Sequence, residues 1–236
     1  MTTPTPPSLS IVMPVLDEAE GLPCALARLA PLRAQGVELI VVDGGSSDDT
    51  AAIATPLADR VIAAPRGRAA QMNAGAALAS ADTLLFLHAD TRLPEGADRL
   101  VLDGLGQAGR HWGRFDVAIE GRSRLLPVVA AFMNARSRLT GIATGDQAIF
   151  VRREAFARAG GFPPIALMED IAFSRAMRRL GPPLCLRARA RTSGRRWEAG
   201  GTLRTIVLMW RLRLAYFLGA DPARLAQRYG NGRAAR

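Results

Sequence analysis

The apolar run Leu84–Leu87, followed at once by His88-Ala89-Asp90, constrains this chain more than any other stretch. Four consecutive apolar residues without helical spacing are typical of a strand that is buried on both faces of a parallel sheet. Open α/β sheets bind ligands at the carboxyl ends of such strands. Asp90 therefore has two interpretations. It is a ligand of a divalent cation held on a phosphate, or it caps a helix that begins near Pro94.

Three apolar runs that precede this strand, at residues 9–15, 37–42 and 60–64, predict further strands. Helical patterns separate them, so strand and helix alternate four times in about the first hundred residues. This alternation predicts an α/β fold, with a mostly parallel central sheet flanked by helices. After Gly109 the pattern changes, and the sequence predicts strands and helices in this order: strand 111–120, helix 125–139, strand 146–151, helix 171–180, strand 184–190 and helix 202–218.

The composition argues against binding to nucleic acid and against a zinc site. All 31 basic residues are arginine and the formal net charge is +10, which we interpret as a bias in composition. No basic run is interleaved with aromatic residues that would stack on bases. Cys24 and Cys185 are isolated, without the spacing of zinc ligands, and we expect both to be buried thiols.

Residues 202–218 combine a long apolar pattern with Arg204, Arg211 and Arg213. The segment is too charged for a comfortable transmembrane span. Two interpretations remain. It is an amphipathic helix that contacts a membrane surface, or a helix that packs on the domain or across a homodimer.

Polar or charged residues follow each of the first four predicted strands, at positions 17–18, 43–48, 66–68 and 88–90. The ends of parallel strands lie along one edge of the sheet, so we expect these loops to converge on one ligand. Carboxylates suit base, ribose and metal contacts, and arginines suit phosphate oxygens. No glycine-rich dinucleotide motif or P-loop is present.

Seven motifs in order resemble the family-two inverting glycosyltransferases of GT-A fold. They are PVLDE, VVDGGSSDDT, RGRAAQMNAG, FLHAD, TGDQAIF, MEDIAFS and RRW. The resemblance is strongest to a small bacterial branch associated with radical-SAM and selenium-domain proteins, and it extends from Leu9 to about Tyr229. It implies a GT-A domain at 9–200, with a nucleotide-binding half (9–108) and an acceptor half (109–200). Residues 1–8 are expected to be a disordered lead-in, and 201–236 an amphipathic helical segment.

The resemblance also implies a role for individual residues. Asp170 would be the general base, with Glu169 beside it, and Asp90 would bind Mg²⁺ or Mn²⁺ together with His88. The residues expected at the nucleotide are Pro14, Leu16, Glu18, Asp43, Gly44, Ser46, Arg68, Asn73 and Ala89. The residues expected at the sugar and the acceptor are Gly145, Asp146, Gln147, Arg196 and Trp197.

Several alternatives stay open at this point. Glu169 and Asp170 are also suited to the first turn of a helix, and Asp146 to a loop. His88 replaces the first aspartate of the usual Asp-x-Asp motif, and Ser193 replaces the glutamine of Gln-x-x-Arg-Trp.

The expected activity is transfer of a single sugar from a nucleotide-diphospho-sugar to an unidentified acceptor, in the cytoplasm or at the inner face of the membrane. The alternatives are a nucleotidyltransferase of GT-A fold and an inactive nucleotide-binding protein.

Overall fold

The computed structural model describes the backbone of residues 7–234, and the side chains of this range except those of residues 196 and 230–234. Most of the predicted lead-in, 1–8, therefore lies outside the described residues. The strands are β1 (Ser10–Val15), β2 (Glu38–Asp43), β3 (Arg60–Ala63), β4 (Thr83–Phe86), β5 (Thr91–Arg92), β6 (Trp112–Glu120), β7 (Phe150–Arg152) and β8 (Leu184–Ser193). The helices are α1 (Leu22–Ala27), α2 (Ala30–Ala34), α3 (Thr50–Ala54), α4 (Arg68–Leu78), α5 (Ala97–Ala108), α6 (Leu126–Thr140), α7 (Arg153–Arg158), α8 (Glu169–Met177), α9 (Arg195–Ala199), α10 (Thr202–Phe217) and α11 (Pro222–Ala234), with a 3-10 turn at Gly145–Gln147.

The strands form one sheet in the order β3-β2-β1-β4-β7-β6-β8-β5. The first four are parallel, as the alternating pattern predicts. β7 is antiparallel to both β4 and β6, while β8 is parallel to β6 and antiparallel to β5. The carboxyl ends of β1, β2 and β4 therefore lie on one edge, and Val15 is paired with Asp43 there.

Apolar side chains on alternate positions of the central strands fill two cores, one on each face of the sheet. Ile11 and Leu39 belong to the core beneath α1 and α5, and Val12 and Ile40 to the core beneath α4. Burial on both faces explains why these strands are continuous apolar runs instead of alternating patterns.

Four details of the predicted elements are wrong. The helical pattern between the first two strands forms two short helices, α1 and α2, and the expected strand 146–151 is limited to Phe150–Arg152. Asp146 lies instead in the 3-10 turn, where the side chains of Thr144 and Gln147 cap each other's backbone. The helix expected at Pro94 begins at Ala97 with Gly96 as its N-cap, so Asp90 does not cap it. Cys24 is exposed and Cys185 is only partly buried.

The last two helices pack on the domain through an apolar cluster of their own. Leu212 of α10 and Leu225 of α11 are buried against Met168 and Ile171, at the start of α8. Within residues 7–234 no helix has both the length and the apolar character needed to cross a membrane.

Helix α4 lies very close to the sheet, because Gly75 has no side chain. A Cβ at Gly75 would lie 2.4 Å from Cγ1 of Val12 and 2.9 Å from Cγ2 of Val42. This close approach determines how far the amino end of α4, with Arg68, reaches over the strand ends.

We expect Gly75→Ala to lower the melting temperature, although alanine favours helix more than glycine does by about 1 kcal/mol. The added methyl group overpacks the contact with β1 and β2, which costs about 1–3 kcal/mol. Gly106→Ala in α5 is the matched control, since a Cβ there meets no atom within 4 Å. Circular dichroism melts should show Gly106→Ala unchanged or stabilised; equal behaviour of the two variants would contradict the packing argument.

Candidate functional site

Two loops at the carboxyl edge of the sheet are joined by reciprocal hydrogen bonds. The Asp17 N–H donates to Oγ of Ser46 (2.9 Å), and Oδ1 of Asp17 accepts from the Ser47 N–H (2.7 Å). The Glu18 N–H donates to Oγ1 of Thr50 (2.9 Å). Asp17 has a φ of 51°, a left-handed conformation that aspartate tolerates better than most residues. These contacts hold Glu18 and Ser46 on one surface.

Asp43 ends β2 and is almost fully buried by its own loop. One of its carboxylate oxygens accepts from the N–H of Gly45 and both from that of Ser46, at 3.1–3.2 Å, and the Ser46 hydroxyl also donates to it. An ionised carboxylate is stabilised by such donors. A ligand that pairs with Asp43 would therefore meet a carboxylate that the loop already orients.

Gln71 of α4 fixes the two strand ends relative to each other. Its Nε2 donates to the carbonyl oxygens of Val15 and Val42, both at 2.8 Å. A Cβ on Gly44 would lie 3.0 Å from the Gln71 amide, so glycine at position 44 allows this bridge.

Asp90 lines a cavity of about 270 Å³ between α1 and β8. Glu18 and Arg195 line the same cavity and form an ion pair at 4.0 Å. Asp90 is partly exposed, and its Oδ1 accepts from the hydroxyl of Thr91 at 3.3 Å. The cavity thus combines acidic and basic groups from three separate segments.

His88 contacts the 3-10 turn at residues 145–147. Its Nδ1 lies 3.5 Å from Oδ1 of Asp146. A Cβ on Gly145 would lie 2.4 Å from Cε1 of His88, so the imidazole occupies the space that any other residue at position 145 would need. The two sequence motifs FLHAD and TGDQAIF therefore meet in the fold.

Glu169 and Asp170 form the first turn of α8 after Met168, whose φ of 70° turns the chain into the helix. The Asp170 carboxylate accepts from the N–H of Ile171 at 2.7 Å, so it also serves the first turn of the helix, the other role that the sequence offers for it. Oδ2 of Asp170 accepts from the Gly145 N–H at 3.1 Å, and Oε1 of Glu169 lies 3.8 Å from Arg68. The helix N-terminus favours negative charge at this place.

The pKa values of this pair are shifted upwards. Burial raises the pKa of Asp170, although the N–H groups of Gly145 and Ile171 oppose the shift. Burial raises the pKa of Glu169 as well, and repulsion from the Asp170 carboxylate adds to it. Although burial acts to lower it, the pKa of the Arg68 guanidinium is raised, chiefly by the charge of Glu169. Arg68 therefore stays positively charged beside Glu169 and Asp170.

Arg136 of α6 is a second cation whose charge acts on Asp170. Its Nε and one Nη are buried without a hydrogen-bond partner among the described residues. Burial lowers the pKa of Arg136, while the negative charge of Asp170 opposes this effect. Asn134, two residues earlier in α6, accepts from the side-chain amide of Gln147 at 3.3 Å. Two N–H donors therefore lie unsatisfied close to a partly buried carboxylate.

The structure brings most of the predicted residues together in two adjoining groups. The first surrounds the strand ends and contains Glu18, Asp43, Gly44 and Ser46, with Pro14, Leu16, Ala89 and Asp90 beside them. The second contains Arg68, His88, Gly145, Asp146, Gln147, Glu169 and Asp170.

Three predicted residues have other surroundings. The side-chain amide of Asn73 exchanges two hydrogen bonds with the backbone of Phe162 (2.8 and 2.9 Å), and Trp197 packs beside the core under α6. The backbone of Arg196 lies in α9, and its side chain lies outside the described residues. The role of every predicted residue at substrate stays a prediction.

Sequence reasoning missed Gln71 and Arg136. Gln71 is a lone amide three residues after Arg68 in an alanine-rich helix, on the face that packs on the sheet. Arg136 follows Phe132 by four residues, in line with an apolar stripe of α6. A polar residue in the apolar stripe of a helix is the signal that would have found both.

The donor chemistry around Asp90 fits the predicted Mg²⁺ or Mn²⁺. Among residues 7–234 no cluster of three or more acidic, histidine or cysteine side chains could enclose an ion. Mg²⁺ is usually held by one or two carboxylates together with substrate phosphates, so a carboxylate that lines an open cavity is sufficient. Oxygen ligands suit Mg²⁺ and Mn²⁺ better than an imidazole does, so the fit rests on Asp90, and His88 as a second ligand stays a prediction.

The profile of the glycosyl transferase family 2 matches residues 10–158, more than half of the chain. The chain belongs to this family. The match includes the strand ends, His88, Asp90 and the 3-10 turn, while α8 with Glu169 and Asp170 lies beyond it. The resemblance inferred from the seven motifs is thereby confirmed; the radical-SAM and selenium-domain branch stays a prediction.

Similar proteins agree with the family. A PGL/p-HBAD biosynthesis glycosyltransferase of Mycobacterium bovis is 41% identical over 101 residues, which are 40% of this chain and 39% of that protein. The uncharacterized glycosyltransferase Rv0539 of Mycobacterium tuberculosis is 30% identical over 118 residues, 44% of this chain and 52% of that protein. The chain thus spans about two fifths to one half of the length of these curated relatives.

Solved structures confirm the fold class. The mannosyltransferase PcManGT from Pyrobaculum calidifontis, in complex with GDP-Man and Mn²⁺, superimposes on 98% of this chain and 71% of its own, with a TM-score of 0.63 and 18% identity. S. aureus TarS 1–349, in complex with UDP-GlcNAc, covers 79% of this chain and 58% of its own at the same TM-score, with 16% identity. The mixed sheet with flanking helices is the GT-A fold.

We expect Gly145→Ala to displace His88, because the new methyl group overlaps its ring. The chain has only two histidines, so His111 serves as an internal control. Long-range ¹H–¹⁵N spectra of the imidazoles should show the His88 signals shifted and those of His111 unchanged. Unaltered His88 signals in a folded variant would contradict the contact between the two motifs.

Proposed function

We propose that this protein is an inverting glycosyltransferase that moves one sugar from a nucleotide-diphospho-sugar to the hydroxyl of an acceptor. The observation that carries the proposal is the partly buried Asp170 carboxylate at the start of α8, which accepts from the Gly145 N–H and interacts with the charges of Arg68 and Arg136. A general base works best when its pKa is near the working pH, and burial raises the pKa of Asp170 in that direction.

Asp170 would take the proton of the acceptor hydroxyl as its oxygen attacks the anomeric carbon. The bond between that carbon and the diphosphate oxygen breaks on the opposite side, so one displacement inverts the configuration. Charge develops on the leaving diphosphate, and Arg68 supplies positive charge for it. A divalent cation held by Asp90 and His88 would supply Lewis-acid stabilisation of the same charge.

The nucleotide would lie along the strand ends. Asp43 and Glu18 are suited to hydrogen-bond the base and ribose, because the loop of Asp43 orients its carboxylate and the contact with Thr50 fixes the backbone of Glu18. The solved neighbours support a nucleotide-diphospho-sugar as the donor, because PcManGT was crystallised with GDP-Man and Mn²⁺ and TarS with UDP-GlcNAc. The 3-10 turn at Gly145–Gln147 would then face the sugar, between His88 and Asp170.

Two further expectations belong to the proposal. The first is a peripheral contact of residues 202–218 with the inner face of the membrane, and the second is a homodimer. The residues of the site do not identify the acceptor.

We expect Asp170→Asn to lower the turnover by about 10²–10⁴-fold, as loss of a general base does. Glu169→Gln should keep substantial activity and move the acidic limb of the pH–rate profile to lower pH. The sign follows from electrostatics: a neighbouring negative charge raises the pKa of Asp170, so its removal keeps the base ionised at lower pH.

The measurement is release of nucleoside diphosphate from a panel of sugar donors, followed from pH 5 to pH 9. Donor binding by the Asp170→Asn variant, measured by thermal shift, should stay close to wild type. Full activity of Asp170→Asn would contradict the assignment, and so would an acidic limb that moves to higher pH in Glu169→Gln.

We expect Mn²⁺ to increase the thermal stabilisation by nucleoside diphosphates, since a ligand that binds only the folded state stabilises it. Asp90→Asn should abolish the effect of the metal. Asp82→Asn is a control, because Asp82 is exposed at the other end of β4. An unchanged response to Mn²⁺ in Asp90→Asn would exclude Asp90 as the metal ligand.

A further inference from the structure

Two helices expose long apolar stripes on their outer faces. On α6 the stripe begins one residue before the helix, and Phe132 at its centre is 67% exposed. On α10 Trp210 at the centre is 68% exposed. We call these residues together the outer face: Leu125, Val128, Phe132 and Leu139, with Leu203, Val207, Trp210, Leu214, Phe217 and Leu218.

The two helices that carry the stripes are in contact near their amino ends. The hydroxyl of Thr202, at the start of α10, donates to the hydroxyl of Ser123, just before α6, at 3.0 Å. Ile206 of α10 packs against the buried side of α6, in the cluster around Val129 and Met133. Monomeric proteins rarely expose apolar patches of this extent unless the patch contacts a partner or a membrane.

The charges on these helices are all of one sign. Residues 124–140 and 202–218 contain no aspartate or glutamate, and Arg124, Arg204 and Arg211 are exposed on them. Helices that lie in a membrane interface combine an apolar face with arginine, and Trp210 is the residue type enriched there. The positive charge is complementary to anionic lipid headgroups.

A second copy of the chain fits this face less well. A twofold interface brings the same patch of both subunits together, so each exposed arginine would approach the arginines of the other copy. Neither helix offers a carboxylate to pair with them.

We propose that the outer face docks on a bilayer containing anionic lipid, so that the acceptor reaches Asp170 from the lipid surface. The second half of this statement rests on the proposed function. It follows from α6 itself: Arg136 lies one helical turn after Phe132, next to the stripe, and interacts with the charge of Asp170, while Asn134 on the other flank of the helix accepts from Gln147. The acceptor class is then a membrane-borne molecule with a hydroxyl in the headgroup region.

The first test is flotation of the full chain with vesicles of phosphatidylcholine, with or without phosphatidylglycerol. Wild type should float with the anionic vesicles, and Phe132→Glu/Trp210→Glu should bind at least tenfold more weakly. Leu78→Glu, at a 44% exposed leucine of α4 away from this face, is the matched control and should float like wild type. Replacing Arg204 and Arg211 with glutamine should weaken binding by about fivefold per residue.

The second test places the face in the bilayer. Trp210 is the only strongly exposed tryptophan of the three, so brominated phosphatidylglycerol should quench its fluorescence, and Trp210→Phe should remove the quenching. Absence of flotation, or flotation unaffected by the double glutamate variant, would overturn the proposal. A dimer in solution that the same variant dissociates, without vesicle binding, would assign the face to a second copy. Donor binding, measured separately by thermal shift, reports on the proposed function alone.

Discussion

The withdrawal of two adjacent carboxylates from water, Glu169 almost completely and Asp170 in part, is the constraint on which the site depends. Ionised groups are costly to remove from water, and Glu169 and Asp170 also repel each other. The fold offsets this cost from several directions, with the amino end of α8, the Gly145 N–H and the guanidinium of Arg68. The raised pKa values show that the compensation is incomplete, so the native state retains protons that the unfolded chain would lose. Stability contributed by these protons is present at low pH and is lost as the pH rises through the shifted values.

The same constraint explains why separate segments converge here. Arg68 reaches the carboxylates only because α4 lies close to the sheet, which Gly75 allows. His88 reaches Asp146 only because Gly145 leaves space for its ring. Each close approach depends on a missing side chain, and each brings together motifs that are more than fifty residues apart. The acidic pair thus receives its partners from α4, β4, the 3-10 turn and α6.

The strands and the order of the sheet's first half follow from the sequence, because burial on both faces produces continuous apolar runs such as Leu39–Val42. The sequence also predicts the loops of the site, because polar residues that directly follow a buried strand can be recognised from the sequence alone. Gln71 and Arg136 were missed because their roles depend on what lies across the packing interface, not on their neighbours in the chain. The strand expected at Asp146 failed for a local reason, the reciprocal cap of Thr144 and Gln147, which turns the backbone before β7 begins. The ten residues of the outer face cannot be recognised as exposed from the sequence for the same reason. Their spacing predicts amphipathic helices, and only the packing of α6 and α10 on the domain shows which apolar side is left exposed.

The bridge from Gln71 to the carbonyl groups of Val15 and Val42 has a consequence for ligand binding. It ties the amino-terminal part of α4 to two strands at once, so the loop with Asp43 and the helix end with Arg68 move as a single rigid unit. A rigid surface loses little conformational entropy when a ligand arrives, and more of the contact energy is retained as affinity. The entropic cost of ordering side chains on binding would fall instead on the acceptor side of the site, where two N–H groups of Arg136 have no hydrogen-bond partner among the described residues.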